Sequence, residues 1–203
     1  MLDRWSVHWV KKPLERLAEP LAARGVKADQ ITLVGFFIGL LAMVALAFKG
    51  YLWAFAFIVL NRIADGLDGI VARKEGPTDA GGFLDIVLDF IFYSSVVVGF
   101  AFADPARNAL AAVVLIFSFM GTGASFLAFA SLAAKRGITS SVHKKKSLYY
   151  LDGLTEGTET ILFFGVATLF PHGFPVLALL FAIACGITTV TRIVSGYQTL
   201  KSD

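Results

Sequence analysis

Four aspartates are the residues of this chain best placed to do chemistry. Asp65 and Asp68 are one helical turn apart, Asp85 and Asp89 follow at the same kind of interval, and all four lie within long apolar segments. An ionised carboxylate costs at least about 2.5 kcal/mol in the middle of a membrane helix unless a cation offsets it. Small residues and one arginine accompany the acids in a fixed pattern: Asp65-x-x-Asp68-Gly69-x-x-Ala72-Arg73, seven residues, then Gly81-x-x-x-Asp85-x-x-x-Asp89. At about 100° per residue, Asp68, Gly69 and Ala72 fall within about 60° of Asp65, and Asp89 about 40° from Asp85. Two neighbouring antiparallel helices therefore allow all four carboxylates to face one another at one depth. Crowded acids in a low dielectric repel unless cations sit among them, and two divalent ions match four negative charges. Such a pair of ions bridges a pyrophosphate and stabilises a departing phosphate, which is the requirement of phosphoryl-type transfer. Gly69, Gly81 and Ala72 leave room for a bulky ligand against the backbone. Arg73 offers a forked donor suited to a phosphate or a base carbonyl.

The remaining candidate ligands point the same way. His8, His143 and His172 are scattered, and the single Cys185 sits in an apolar run where it reads as a packing residue. No His/Cys cluster is expected, so any metal is held by oxygen, which favours Mg²⁺ or Mn²⁺.

The elements that must position these acids are membrane helices. The chain is 57% hydrophobic and 16% charged, with mean hydropathy +0.73; a water-soluble domain carries roughly a quarter charged residues. Six apolar segments, near 31–48, 51–72, 82–103, 108–134, 147–170 and 174–199, are each close to the length of about twenty residues that a crossing needs. Basic residues gather on one side: the N-terminal set from Arg4 to Lys27, Arg73-Lys74, Lys135-Arg136 with Lys144-Lys145-Lys146, and Lys201. By the positive-inside rule both termini are cytoplasmic, and the modest net charge of +3 concerns topology rather than nucleic acid. The Lys144–Lys146 run is read as an anchor to anionic lipid, with attraction of an anionic substrate as the lesser possibility. Trp53 is expected as an interface anchor on the opposite face. Residues 1–30 hold no continuous apolar core, so no cleavable leader is expected. Within them, residues 7–23 read as an amphipathic helix lying in the interface and ended by Gly25. The expected fold class is all-α: an interfacial helix within 1–30 and a six-span bundle over 31–203.

The aspartate pattern resembles, position for position, the signature of the CDP-alcohol phosphotransferase (CDP-alcohol phosphatidyltransferase) family. The resemblance is close over the first three crossings and topological over the rest. It implies that Asp65, Asp68 and Asp85 ligate two divalent cations, Mg²⁺ or Mn²⁺. Asp89 also touches metal and is the base that takes the acceptor's hydroxyl proton. Asp65, Asp68, Gly69, Ala72, Arg73, Thr78 and Gly81 match positions that hold the donor nucleotide. Gln30-Ile31-Thr32-Leu33 is similar to the donor-contacting lead-in of the first crossing, although Gln30 stands where Asn is common. The seven-residue loop from Arg73 to Gly81 is at the short end for such proteins. The activity implied is transfer of a phosphatidyl group from CDP-diacylglycerol to a small cytoplasmic alcohol, releasing CMP. The implied setting is a multi-pass protein of the inner (cytoplasmic) membrane, with a cytoplasm-facing site and a homodimeric state.

A second acidic set is expected on the fifth crossing. Asp152, Glu156 and Glu159 follow i, i+4, i+7, within about 60° of one another, flanked by Thr155 and Thr158. Arg192 on the sixth crossing and Arg62 beside the aspartates are the nearest residues to balance them. This set is either an internal salt bridge or an acceptor pocket, with Arg192 for an anionic group and Glu156 and Glu159 for an ammonium or polyhydroxyl. The surplus of acid argues mildly against a doubly charged phosphate acceptor. Two other functions compete with the main reading. A CDP-amino-alcohol donating its head group to diacylglycerol would suit the acidic set. A divalent-cation channel or transporter would use intramembrane acids, but it requires them to continue across the bilayer and gives Gly69, Ala72, Arg73 and Gly81 no role.

Overall fold

The computed structural model describes residues 3–138 and 153–201, with side chains from Pro13 onward. All regular structure among them is helical. The elements are α1 (Asp3–Ala23), α2 (Ala28–Ala47), α3 (Tyr51–Glu75), α4 (Asp79–Ala103), α5 (Pro105–Lys135), α6 (Gly157–Leu169) and α7 (Phe174–Lys201), with one 3₁₀ turn at Pro171–Gly173. Four helices among the described residues combine the length and apolarity of a membrane span: α2, α4, α5, and α7 with its preceding turn. Helix α3 is as long as α4, about 37 Å at 1.5 Å per residue, but it carries Asn61, Arg62 and the first two aspartates.

Local chemistry sets the boundaries. Gly25, at φ +75°, ends α1 as expected, because a left-handed backbone is nearly free for glycine. Gly76, at φ +98°, ends α3 in the same way. Thr78 caps α4, its hydroxyl accepting from the Gly81 N–H at 3.0 Å. Asp104 caps α5 by accepting from the Arg107 N–H at 3.2 Å, and Pro105 fills the first helical position.

The fifth segment departs from expectation. Residues 147–170 were expected as one crossing, but α6 starts only at Gly157, with Leu154 and Thr155 in a bend before it. Glu156 is the N-cap in extended conformation; its carboxylate receives the backbone N–H of Glu159, and the Glu159 carboxylate receives that of Glu156 at 3.1 Å. This reciprocal box satisfies free donors of a helix start, so α6 begins at Gly157 and Glu156 stands just outside it as the cap. Asp152, His143 and the Lys144–Lys146 run lie outside the described residues.

The bundle core is aromatic and small. Phe100 stacks on Phe174 at 4.2 Å and Phe163 on Phe181 at 4.7 Å, with Phe92 and Phe164 edge to face between them. Large apolar side chains such as Phe37, Leu110, Phe117 and Val190 point outward, the arrangement of a bundle whose solvent is lipid. With no hydrophobic gain between helices in lipid, close approach by small residues holds the bundle together. A Cβ on Gly35 would stand 2.6 Å from that of Ala64, one on Gly39 2.6 Å from the Phe92 ring, and one on Gly99 2.9 Å from the Met43 carbonyl. These contacts draw α2 against α3 and α4, the two helices that carry the aspartates. Helix α1 packs its Leu14, Ala18 and Leu21 against Ala64, Leu67 and Val71 of α3. Leu14 fills the space beside Gly66, immediately behind Asp65.

Candidate active site

Asp65, Asp68 and Asp85 each present a carboxylate oxygen within 4.8 Å of the others. Asp65 and Asp68 come from α3 and Asp85 from α4, at the depth the helical repeat predicts. Asp68 is buried, and its Oδ2 accepts from the Thr32 hydroxyl of α2 at 2.6 Å. The space enclosed among Thr32, Asn61 and the acids is about 10 Å³, close to one water-sized sphere. Three converging carboxylates at this separation fit a hard divalent cation such as Mg²⁺ or Mn²⁺.

Asp89 lines the same cleft from one turn further along α4. Its Oδ1 receives Nη2 of Arg62 at 2.6 Å, and its Oδ2 receives the Tyr93 hydroxyl at 3.2 Å. Arg62 also approaches Asp65, at 3.5 Å. The expectation that Arg62 balances the acids of the fifth crossing is therefore corrected: its partners are Asp89 and Asp65. The reason is helical register, since a residue one turn before Asp65 shares its face.

The other residues of the aspartate pattern spread around this cluster. Gly69 lies beside the guanidinium of Arg73, which a Cβ would meet at 3.3 Å, and Ala72 and Arg73 continue toward the exposed end of α3. A Cβ on Gly81 would meet the Thr78 hydroxyl at 3.1 Å and Asp29 at 3.0 Å. The lead-in to α2 divides its tasks. Gln30 caps the helix by accepting from the Lys27 N–H at 3.1 Å. Ile31 packs with Ala18 and Ala64, Thr32 reaches Asp68, and Leu33 is exposed.

A second cavity of about 190 Å³ adjoins the cleft, and Asp85 and Asp89 form part of the walls of both. Its polar lining includes Tyr93, Thr122, Thr155, Glu156, Thr160 and Arg192. Arg192 is buried, donates to the Thr122 carbonyl at 3.2 Å and faces the Phe126 ring at 5.6 Å. Thr155 is fixed by Thr188, whose hydroxyl accepts from its N–H at 3.0 Å. The non-helical backbone before α6 borders this cavity; in membrane proteins such backbone is tolerated where it is buried in protein or lines a cavity. Of the acceptor candidates, Glu156 and Arg192 line the cavity, whereas Glu159 serves the α6 cap. Tyr93, Thr122 and Thr160 were not anticipated from sequence. Only Tyr93 carried a signal, one helical turn after Asp89.

Residues 26–193 match the CDP-alcohol phosphatidyltransferase family. The chain belongs to that family. It is 54% identical over 202 residues to the inner membrane protein YnjF of Escherichia coli, covering 100% of this chain and 98% of that one. It is 29% identical over 193 residues to archaetidylinositol phosphate synthase of Pyrococcus horikoshii, covering 95% of each. The fold superposes on phosphatidylinositol phosphate synthase of Mycobacterium tuberculosis with CDP-DAG bound, at TM-score 0.73 and 21% identity, covering 91% of this chain and 93% of that one. The same enzyme in complex with manganese and citrate gives TM-score 0.71 and 21% identity, covering 91% and 88%. As a CDP-alcohol phosphatidyltransferase family member, the chain is a membrane transferase of phospholipid biosynthesis, and its carboxylate trio is of a kind that could hold a metal ion.

Proposed function

We propose that this CDP-alcohol phosphatidyltransferase moves the phosphatidyl group of CDP-diacylglycerol onto the hydroxyl of a small cytoplasmic alcohol and releases CMP. The observation that carries the reading is the shared wall: Asp85 and Asp89 border both the metal-type cleft and the larger cavity beside it. A hydroxyl arriving through that cavity meets Asp89 at the boundary. Asp65, Asp68 and Asp85, completed by Asp89, would hold two divalent cations, Mg²⁺ or Mn²⁺. When bound, the ions neutralise the donor's pyrophosphate and the charge of the departing CMP. Arg73, with Thr78 and the open backbone at Gly69 and Gly81, orients the nucleotide. Asp89 accepts the acceptor's proton, so the oxygen attacks the lipid-bearing phosphorus in line with the leaving CMP. Arg192 and Glu156 select the acceptor, the first for an anionic group, the second for an ammonium or hydroxyl.

The same reading carries a topology. Six crossings, with both termini and the site on the cytoplasmic side, agree with the distribution of basic residues. Helix α6, at 13 residues, covers only about 20 Å, which suits a crossing whose cytoplasmic end opens into the acceptor cavity. Residues 1–30 form an interfacial unit ahead of the 31–203 bundle, and the chain pairs as a homodimer in the inner membrane. The decisive assay offers CDP-diacylglycerol or CDP-ethanolamine with Mg²⁺ and a panel of alcohols, including serine, glycerol 3-phosphate and inositol phosphate. Lipid product and CMP from CDP-diacylglycerol alone support the proposal. Turnover only with CDP-ethanolamine and diacylglycerol would reverse the donor assignment. Mn²⁺ flux into proteoliposomes without nucleotide would favour a transporter.

A further inference from the structure

One charged group at the site has no part in the chemistry just described: the guanidinium of Arg62. It is held on every side. Its Nε donates to Asn61 Oδ1 at 2.8 Å, its Nη1 lies 3.4 Å from the Tyr93 hydroxyl, and its Nη2 donates to Asp89 at 2.6 Å. Its Cζ lies over the Phe92 and Tyr93 rings, at 5.1 and 5.6 Å from their centroids. Asn61 is itself buried and anchored, donating to the Gly35 carbonyl at 2.9 Å. This is a rigid cation in a built slot rather than a mobile side chain, because leaving it breaks charge-assisted bonds and aromatic contacts together.

The slot lies between two of the four acids. Arg62 touches Asp65 at 3.5 Å and Asp89 at 2.6 Å, whereas Asp65, Asp68 and Asp85 converge among themselves. A cation bridging Asp65 to Asp89 would need the position the guanidinium fills. We infer that Arg62 is a built-in competitor for the second divalent ion, so that the two ions of the proposed mechanism bind unequally. The first sits on the Asp65–Asp68–Asp85 trio, and the second reaches Asp89 only as Arg62 gives way. Arg62 is thus a positioning residue: it keeps Asp89 oriented at the acceptor boundary until the second ion arrives. The inference rests on the metal reading of the proposed function.

The test titrates Mn²⁺ into the detergent-solubilised full chain without nucleotide, reading free Mn²⁺ by electron paramagnetic resonance. The wild type is expected to bind one ion tightly and a second at least about tenfold more weakly, the effect of one charge-assisted contact. Arg62→Gln should close that gap by strengthening the second site. Asp89→Asn, which leaves the trio intact, should keep the tight site and lose the weak one. Two equal sites in the wild type overturn the inference, as does a gap that survives in Arg62→Gln or a tight site weakened by Asp89→Asn. A wild type that binds no Mn²⁺ refutes the metal reading itself, a result distinct from any of these.

Discussion

Replacing Thr32 by Val removes a hydroxyl that reaches both the metal cleft at Asp68 (2.6 Å) and the Ala28 carbonyl of its own helix (3.1 Å). The two side chains have nearly the same shape, so the helix and its packing stay while a single hydroxyl is lost. That hydroxyl stands 2.6 Å from Oδ2 of the buried Asp68, a short bond that joins the strong, charge-assisted class once the carboxylate holds a cation. Bonds to charged groups contribute about 1.5 to 3 kcal/mol, because the acceptor left behind keeps its desolvation penalty. At about 1.4 kcal/mol per factor of ten, the orientation of Asp68 for a cation weakens by about ten- to a hundredfold. Loss of a bond that orients a metal ligand falls in the same range in metal sites generally. The assay is CMP release against Mg²⁺ concentration in mixed micelles with CDP-diacylglycerol. The half-saturating Mg²⁺ should rise by about tenfold or more, kcat should recover at high Mg²⁺, and Thr32→Ser should behave as wild type. A Thr32→Val protein with an unchanged Mg²⁺ dependence would refute the role of this contact and weaken the placement of metal at Asp68.

Asp65→Asn or Asp85→Asn should abolish turnover while the protein still folds, and chelation should do the same to the wild type; full activity in either variant contradicts the metal assignment. Asp89→Asn should retain binding of the CDP donor yet lose turnover, measured by nucleotide binding beside CMP release. Gly39→Val places new carbon where even a Cβ would lie 2.6 Å from the Phe92 ring; overpacking of this kind costs about 1 to 3 kcal/mol, so a lowered unfolding temperature in detergent is expected. Glu156→Gln should alter the acceptor's KM more than donor affinity, whereas a change confined to thermal stability would reduce Glu156 to its capping role.

Much of the site was legible because its spacing obeys helical geometry. Asp65 and Asp68 are one turn apart, and the loop between α3 and α4 is short, so Asp85 returns to the same depth. The small positions lie against polar side chains: a Cβ on Gly69 would meet Arg73 at 3.3 Å, and one on Gly81 would meet Asp29 at 3.0 Å and Thr78 at 3.1 Å. Helix boundaries came within a few residues for five of the six segments, since apolar length is a local property. The fifth failed for a local reason too. Glu156 and Glu159 look like rungs of one helical face, yet each carboxylate binds the other's backbone N–H and starts the helix there.

The sequence by itself determined the all-helical membrane character, the oxygen-rich cleft and the class of chemistry, because hydropathy and the 3.6-residue repeat act over short stretches of chain. Only tertiary structure decided which oxygen faces which partner. Asp89 turns to Arg62 and Tyr93, Asp68 to Thr32, and Arg192 to a cavity walled by four helices. Those choices depend on how closely the helices approach one another, which is set in part by glycines meeting side chains distant in sequence, Gly35 and Gly39 on α2 and Gly121 and Gly123 on α5 among them. No repeat along the chain encodes that distance.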